Sequence, residues 1–360
     1  MRSKKIMALL LTTAAIMGMT LTGCGNKINE DATFATLDDT TITMGVANFC
    51  AKYQQAMYDS FYMSYFGEDM WSKDVYGNGS TMTEDVKKDV ADNLEEMYLL
   101  KAHMGDYDIS LSDDDEAKIT KAAEDFIAGN SKEAIKQIGA EDIENVKEML
   151  RLNTIQSKMH DRIIKDADTK VTDEEAAQRT FSYVVINTSG YTDSDSNYVE
   201  YTEDDIAGLK ETAASIAAAE DFDTAVTDAG YTVSTASYGS ADDEDSTMDK
   251  SVLEAADQLS AGQVSGVIET DSALYVLRLD SEFDEEATAK KKESMISQKQ
   301  EDYYNDILDG WKEEVKWTLN EKEWAKVNFD DHFKQPETDN TEAADESIAD
   351  TESVNTTEAE

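Results

Sequence analysis

The stretch MDKSVLEAADQLSAGQVSGVIETDSALYVLRL, Met248 to Leu279, holds three local signals in sequence. Val252 to Leu259 has the spacing of a short helix. Gly262 punctuates the chain, and two β-prone runs follow, Val264 to Glu269 and Ala273 to Leu279, folded around Asp271-Ser272 as a hairpin. Upstream, Phe181-Ser-Tyr-Val-Val-Ile186 is a compact strand, and a polar loop leads from it to Tyr201. Thr202-x-x-Asp205 opens a helix running to Ala219, Phe222 and Val226 continue the helical pattern to Gly230, and Tyr231 to Tyr238 alternates as a strand. Strand, helices, strand, helix and two strands over residues 175–283 make a small α+β domain.

The flanks read differently. Two short β-prone runs surround Asp38-Asp39, the pattern of a tight hairpin. Apolar and aromatic residues then recur at helical spacing from Val46 to Phe66. Thr81-x-x-Glu84 caps a second helix ending near Met104, and Ser112-x-x-Asp115 caps a third that Gly129 ends. The acidic run Asp113-Asp-Asp115 complements that helix's dipole. Ile143, Val146, Leu150, Ile155, Met159 and Ile163 outline a longer helix. Residues 34–174 are therefore expected to be nearly all helical. Helical periodicity returns from Glu285 to Lys316, with Ile296, Tyr303, Ile307 and Trp311 on one face, so that 284–330 completes the N-terminal helical domain around the inserted α+β domain. Residues 331–360 are expected to be an acidic disordered tail; Gln335 to Glu360 holds nine acidic residues and no basic one.

The start of the chain carries a separate message. Arg2, Lys4 and Lys5 precede Ile6 to Leu21, an apolar run without a charge, as in a signal peptide covering residues 1–23. Leu21-Thr22-Gly23-Cys24 resembles a lipobox, which implies lipidation of Cys24, a tether over residues 24–33 and an extracytoplasmic, lipid-anchored protein on the outer face of the cell membrane. The formal net charge of −46 argues against nucleic acid as a partner, because phosphate binding needs a basic footprint. With Cys24 acylated, Cys50 has no disulfide partner and reads as a small hydrophobe of the first helix.

Chemistry-bearing constellations are sparse. No Ser/His/Asp or Cys/His set, phosphate loop or dinucleotide fingerprint is present. Asp193-Ser-Asp-Ser-Asn197 opens like a calcium loop, but Tyr198 stands where the turn needs glycine. No metal and no cofactor are expected.

Taken together, the lipobox, the helical flanks, the strand-led module and the terminal Trp324-Ala-Lys-Val-Asn-Phe329 resemble the PrsA/SurA-type foldase lipoproteins, whose inserted module is a parvulin peptidyl-prolyl isomerase domain. Within Met248 to Leu279, the Glu254-Ala-Ala helix and Leu259-Ser-Ala-Gly-Gln-Val-Ser265 match the family's helix, turn and final hairpin, and Ala219-Glu-Asp-Phe-Asp-Thr-Ala225 matches a family helix start. The resemblance implies an α+β protein with a SurA-N-like chaperone domain, unfolded or newly secreted polypeptides as partners, and a prolyl groove formed by Tyr183, Met248, Val252, Leu274 and Tyr275.

Departures from the family pattern bear on catalysis. Tyr183 and Tyr275 occupy the positions of the family's two histidines, and the chain's histidines, His103, His160 and His332, all lie outside the module. Val252 replaces a phenylalanine, Asp257 an apolar residue, and Asp242-Asp-Glu-Asp245 the usual glycine and aromatic positions. The expectation is a foldase whose parvulin module isomerises weakly or not at all, with an active isomerase as the alternative and a solute-binding lipoprotein as a further one. The first helix is rich enough in aromatics to present some to clients, with Tyr53, Met57, Phe61, Tyr65 and Trp71 as candidates.

Overall fold

The computed structural model describes residues 17–18, 28–240 and 247–334. The leader apart from Met17–Gly18, Cys24 and the loop Asp242 to Asp245 lie outside the described residues, as does the chain from Gln335 onward. The chain divides into two compact units: the first comprises Met1–Asp166 with Tyr304–Glu360, the second Ala167–Tyr303. No helix among the described residues is long and apolar enough to cross a membrane.

The first unit begins with β1 (Met17–Gly18) and the hairpin β2 (Thr33–Leu37) and β3 (Thr40–Thr43), turned at Asp38 with a φ of 49°. Helices α1 (Met44–Phe66), α2 (Met82–Ala102), α3 (Asp113–Gly129), α4 (Lys132–Ile138) and α5 (Ile143–Ile163) follow. Both expected capping boxes form: Thr81 with Glu84, and Ser112 with Asp115. Each satisfies two backbone N–H groups that the helix itself leaves without partners. A buried cluster joins Phe49 and Tyr53 of α1 to Ile119 and Phe126 of α3, Ile138 of α4 and Val146, Met149 and Leu150 of α5. Cys50 packs against it, and burial pushes its thiol up to about 12, which leaves it protonated and unreactive at neutral pH.

The second unit runs β4 (Arg179–Asn187), β5 (Gly190–Thr192), β6 (Tyr198–Glu200), α6 (Glu203–Ala217), α7 (Phe222–Asp228), β7 (Ser234–Tyr238), α8 (Lys250–Asp257), β8 (Ile268–Glu269) and β9 (Ala273–Ser281). Its main sheet has the order β7-β4-β9-β8, with every pairing antiparallel. Residues Val264 to Glu269 do not form the continuous strand expected from sequence. Only Ile268–Glu269 pairs regularly, with one further bridge from Val264 to Arg278. The Ser265 N–H donates to Leu277 O at 2.8 Å, but Leu277 N donates at 3.1 Å to the Ser265 hydroxyl, which itself donates to the Gly266 carbonyl at 2.6 Å. Gly262, at a φ of 82°, turns the chain into this segment and donates its N–H to Leu279 O at 2.6 Å.

Helix α9 (Glu285–Glu314) starts in the second unit and ends in the first, followed by β10 (Trp317–Leu319), α10 (Glu321–Trp324) and β11 (Phe333–Lys334). The buried side chains of α9 in the first unit are Tyr304 and Leu308, while Ile296, Tyr303, Ile307 and Trp311 are half-buried, so the apolar face is centred one position further along than expected. Strand β10 pairs antiparallel with β2, Trp317 opposite Leu37 and Leu319 opposite Ala35, giving a sheet of order β10-β2-β3. Trp324 then meets Phe34 edge to face with ring centroids 4.9 Å apart.

Beyond Trp324 an extended segment is clamped by helix side chains acting on its backbone. Lys87 donates to the carbonyls of Trp324 (2.9 Å) and Val327 (2.7 Å), and Lys52 to that of Asn328 (2.5 Å). Gln55 and Gln137 both donate to Asp331 O, at 2.9 and 3.1 Å. Asp59 closes the clamp, accepting from Trp71 Nε1 at 2.8 Å and from Phe333 N at 2.9 Å. Residues 331–334 are therefore part of the fold rather than the start of a disordered tail: Phe333 is buried in the helical cluster, and its N–H is held by Asp59.

Burial raises the Asp59 carboxyl above its ordinary value, so the native chain holds this proton more tightly than the unfolded chain does. Its contribution to stability falls as the pH climbs above 3.8 toward the raised value. Asp59→Ala should destabilise the first unit by roughly 1–3 kcal/mol for each buried donor it orphans. Urea unfolding followed by tryptophan fluorescence measures this, and a change under about 0.5 kcal/mol, the range of ordinary surface substitutions, would contradict the role assigned to Asp59.

Candidate functional site

Alternation along the central strands divides the second unit into two apolar faces. One holds Val184, Ile186, Leu274 and Val276 with Ala213 and Ile216 of α6 and Phe222 and Val226 of α7. The other holds Phe181, Tyr238, Val252, Leu253, Ala256, Leu277 and Leu279, with Tyr183, Met248, Ile268 and Tyr275 half-buried at its margin. The second face carries the candidate groove.

Tyr183 and Tyr275 come together there. Tyr183 stands opposite Leu277 and Tyr275 opposite Val185, so the two are diagonal neighbours on adjacent strands, with ring centroids 6.3 Å apart. Phe181 packs against Tyr183 at 5.7 Å and Tyr238 at 5.6 Å, so aromatic rings line the face from β7 through β4 to β9. Burial, then the neighbouring Tyr183 and Asp249, raise the Tyr275 phenol above its usual value. It is a neutral hydrogen-bonding group at physiological pH.

Residue 257 changes the chemistry of one edge. The Asp257 carboxylate accepts from Tyr238 Oη at 2.8 Å and lies 3.7 Å from the Arg179 guanidinium, which in turn donates to Leu259 O at 2.8 Å. Sequence reasoning noticed the aspartate but not its partners. They come from β4 and β7, strands distant in sequence, and no local pattern announces them.

Two of the five expected groove residues are not accessible in the groove. Leu274 is buried at 2 % exposure in the opposite face, because it precedes Tyr275 on the same strand and adjacent residues point to opposite sides. Val252 is on the expected face but fully buried, forming the floor of the core rather than a contact surface. Tyr183, Met248 and Tyr275 remain as accessible candidates. Among the described residues no group of acidic, histidine or cysteine side chains could hold a metal ion.

The client-binding candidates in the first unit also divide. Tyr53 and Trp71 are buried, Tyr53 against Phe49 and Phe126 and Trp71 against Phe329 with centroids 4.5 Å apart. Met57 is half-buried beside the same cluster. Phe61 and Tyr65 are exposed, at 58 % and 82 %, and the neighbouring Tyr62, Phe66 and Tyr76 are exposed with them.

Residues 171–291 match the family of the PPIC-type PPIase domain. Among solved structures, the chain is similar to a SurA-like chaperone of Campylobacter jejuni, at 12 % identity over 80 % of this chain and 98 % of that one, with a TM-score of 0.28. The foldase PrsA of Lactococcus lactis is 12 % identical over 82 % of this chain and 97 % of its own, with a TM-score of 0.32. The foldase PrsA of Streptococcus pneumoniae is 19 % identical over 69 % and 96 %, also with a TM-score of 0.32. No curated protein matches the chain.

The division of the second unit into a sealed face and an accessible one is open to measurement. Leu274→Ala should lower its stability by about 2–5 kcal/mol, as expected for a fully buried leucine. Met248→Ala, at the margin, should cost under about 1 kcal/mol. Equal losses on thermal unfolding would contradict the assignment.

Proposed function

We propose that this protein is an extracytoplasmic foldase, lipid-anchored at Cys24, that holds unfolded secreted polypeptides, and that its PPIC-type domain binds extended segments with little or no isomerisation. The observation that carries the reading is the accessible face of that domain: tyrosines at 183 and 275, side by side, where the resemblance expects two histidines. Proline isomerases lower a barrier of ~18–20 kcal/mol by surrounding the twisting amide with an apolar, water-excluding pocket. Here Val252 is sunk in the core and Asp257 places a carboxylate at the groove's edge. Two phenols and a half-buried methionine can still hydrogen-bond and pack an extended backbone.

In this reading residues 34–174 and 284–330 form one chaperone domain with 175–283 inserted, and 24–33 serve as the tether. The division of contacts between Asp166 and Ala167 and between Tyr303 and Tyr304 supports an insertion. Unfolded clients are bound through exposed aromatic surface, for which Phe61, Tyr62 and Tyr65 on the first helix are suited. An active isomerase is the second reading, favoured by the family match alone.

The mature chain should suppress aggregation of a chemically denatured client at substoichiometric ratios in a light-scattering assay, and Cys24→Ser should release it from the membrane fraction or leave it unprocessed. No suppression at any ratio would overturn the foldase reading. A mature Cys24→Ser protein still in the membrane fraction would overturn the anchor.

A further inference from the structure

The main sheet of the second unit has two edges, and they are finished differently. Strand β8 is two residues long and ends in Glu269, whose carboxylate pairs with Lys210 at 2.6 Å. Brevity and charge are devices that keep a foreign strand from adding to a sheet. Strand β7 has neither. Ser234-Thr-Ala-Ser-Tyr238 is five residues without a charge, a proline or a bulge, and it pairs with β4 in unbroken register. Among the described residues no strand lies beyond it.

The bonding direction of each β7 residue follows from the far side of the sheet. Ser265 N donates to Leu277 O and Gly262 N to Leu279 O, so odd-numbered residues of β9 bond away from β4. Thr188 N donates to Ser272 O, which sets even-numbered residues as the bonding pairs between β4 and β9. Val184 opposite Val276 and Ile186 opposite Leu274 continue that set. Antiparallel bonding alternates residue by residue, which leaves Phe181 and Tyr183 to bond with Ala236 and Ser234 of β7. Thr235 and Ser237 therefore turn their N–H and carbonyl groups outward, and both residues are exposed. Ala236, between them, belongs with Tyr183 to the face of the candidate groove.

We propose that the outer edge of β7 is a docking site for an extended segment of an unfolded client polypeptide, which adds to the four-stranded sheet and lays alternate side chains beside the groove face. A row of backbone donors and acceptors at strand spacing is complementary to another extended backbone. Such pairing asks little of the client's side chains, so the edge recognises the unfolded state rather than a sequence. The chain on both sides of β7 is acidic, with Asp228 before it and Asp242 to Asp245 after it, and the net charge is −46. Like charge disfavours a second copy of this chain as the occupant. The inference rests on the foldase reading and makes the client's backbone, not its proline, what the second unit holds.

The test uses the mature chain and a short fluorescein-labelled peptide of alternating threonine and valine with lysine at both ends. Anisotropy reads binding, and residue-resolved hydrogen exchange reads the edge. The amides of Thr235 and Ser237 should exchange freely in the chain alone and about tenfold or more slowly with saturating peptide, while those of Ser234 and Ala236 are protected in both. Thr235→Pro removes an outward N–H that the sheet does not use, so it should lower affinity by about tenfold or more and leave thermal unfolding nearly unchanged. Thr235→Val keeps the backbone and should bind within about twofold of the unaltered chain. A peptide that does not bind, binds without protecting Thr235 and Ser237, or binds Thr235→Pro equally well overturns the proposal. So does protection of both amides in the chain alone, or a dimer that Thr235→Pro abolishes, since the chain itself would then occupy the edge. Peptide pairing on β7 without suppression of client aggregation would sink the foldase reading and leave the edge standing; suppression without pairing would do the reverse.

Discussion

The first unit depends on a pairing between ends of the chain some 280 positions apart: β10 on β2, followed by the extended segment that Lys52, Gln55, Asp59, Lys87 and Gln137 hold by its backbone. Irregular backbone cannot satisfy its own carbonyls and N–H groups, and burial without partners would cost more than the contacts return. The helices supply those partners from side chains. Aromatic contacts of Trp324 with Phe34 and of Trp71 with Phe329 then seal the segment. A chain closed in this way must come back after any insertion, and α9 is the element that brings it back.

Closure also explains why the aromatic richness of α1 is not all surface. Phe49 and Tyr53 belong to the helical cluster, and Trp71, just beyond the helix, donates to Asp59 beneath the clamped segment. The aromatics past Ser60 have no such covering in the first unit and stay exposed. One helix therefore serves two purposes along its length, and the transition falls where the clamped segment ends.

Local chemistry was legible in the sequence; long-range partnership was not. The three boxes at Thr81, Ser112 and Thr202 formed as read, because a hydroxyl and a carboxylate three residues apart need only their own turn. Asp221 caps α7 in the same local way, its side chain accepting from Thr224 N. Strand β10 is three residues, Trp-Thr-Leu, with no turn signal to a neighbour, and its partner lies at the other end of the chain. Periodicity gave α9 its length but missed the centre of its buried face by one position, since Tyr303 and Tyr304 are both large and apolar and only the packing partner selects between them. In the second unit, the resemblance named Tyr183 and Tyr275 together and their rings are neighbours, whereas Leu274 faces away because a motif names neighbours in sequence and a strand sends neighbours to opposite faces.

What the tyrosine pair means for catalysis is the point on which local chemistry and the family match of residues 171–291 diverge. The direct measurement is exchange NMR on a short peptide with one proline, whose uncatalysed cis–trans step takes tens to hundreds of seconds, in the presence of the mature chain. The account predicts peptide shifts that report binding with an exchange rate close to the uncatalysed one, and an increase in that rate when Tyr183→His and Tyr275→His are introduced together. Rapid exchange with the unaltered chain, abolished by Met248→Ala, would contradict it by showing that this face isomerises proline without histidines.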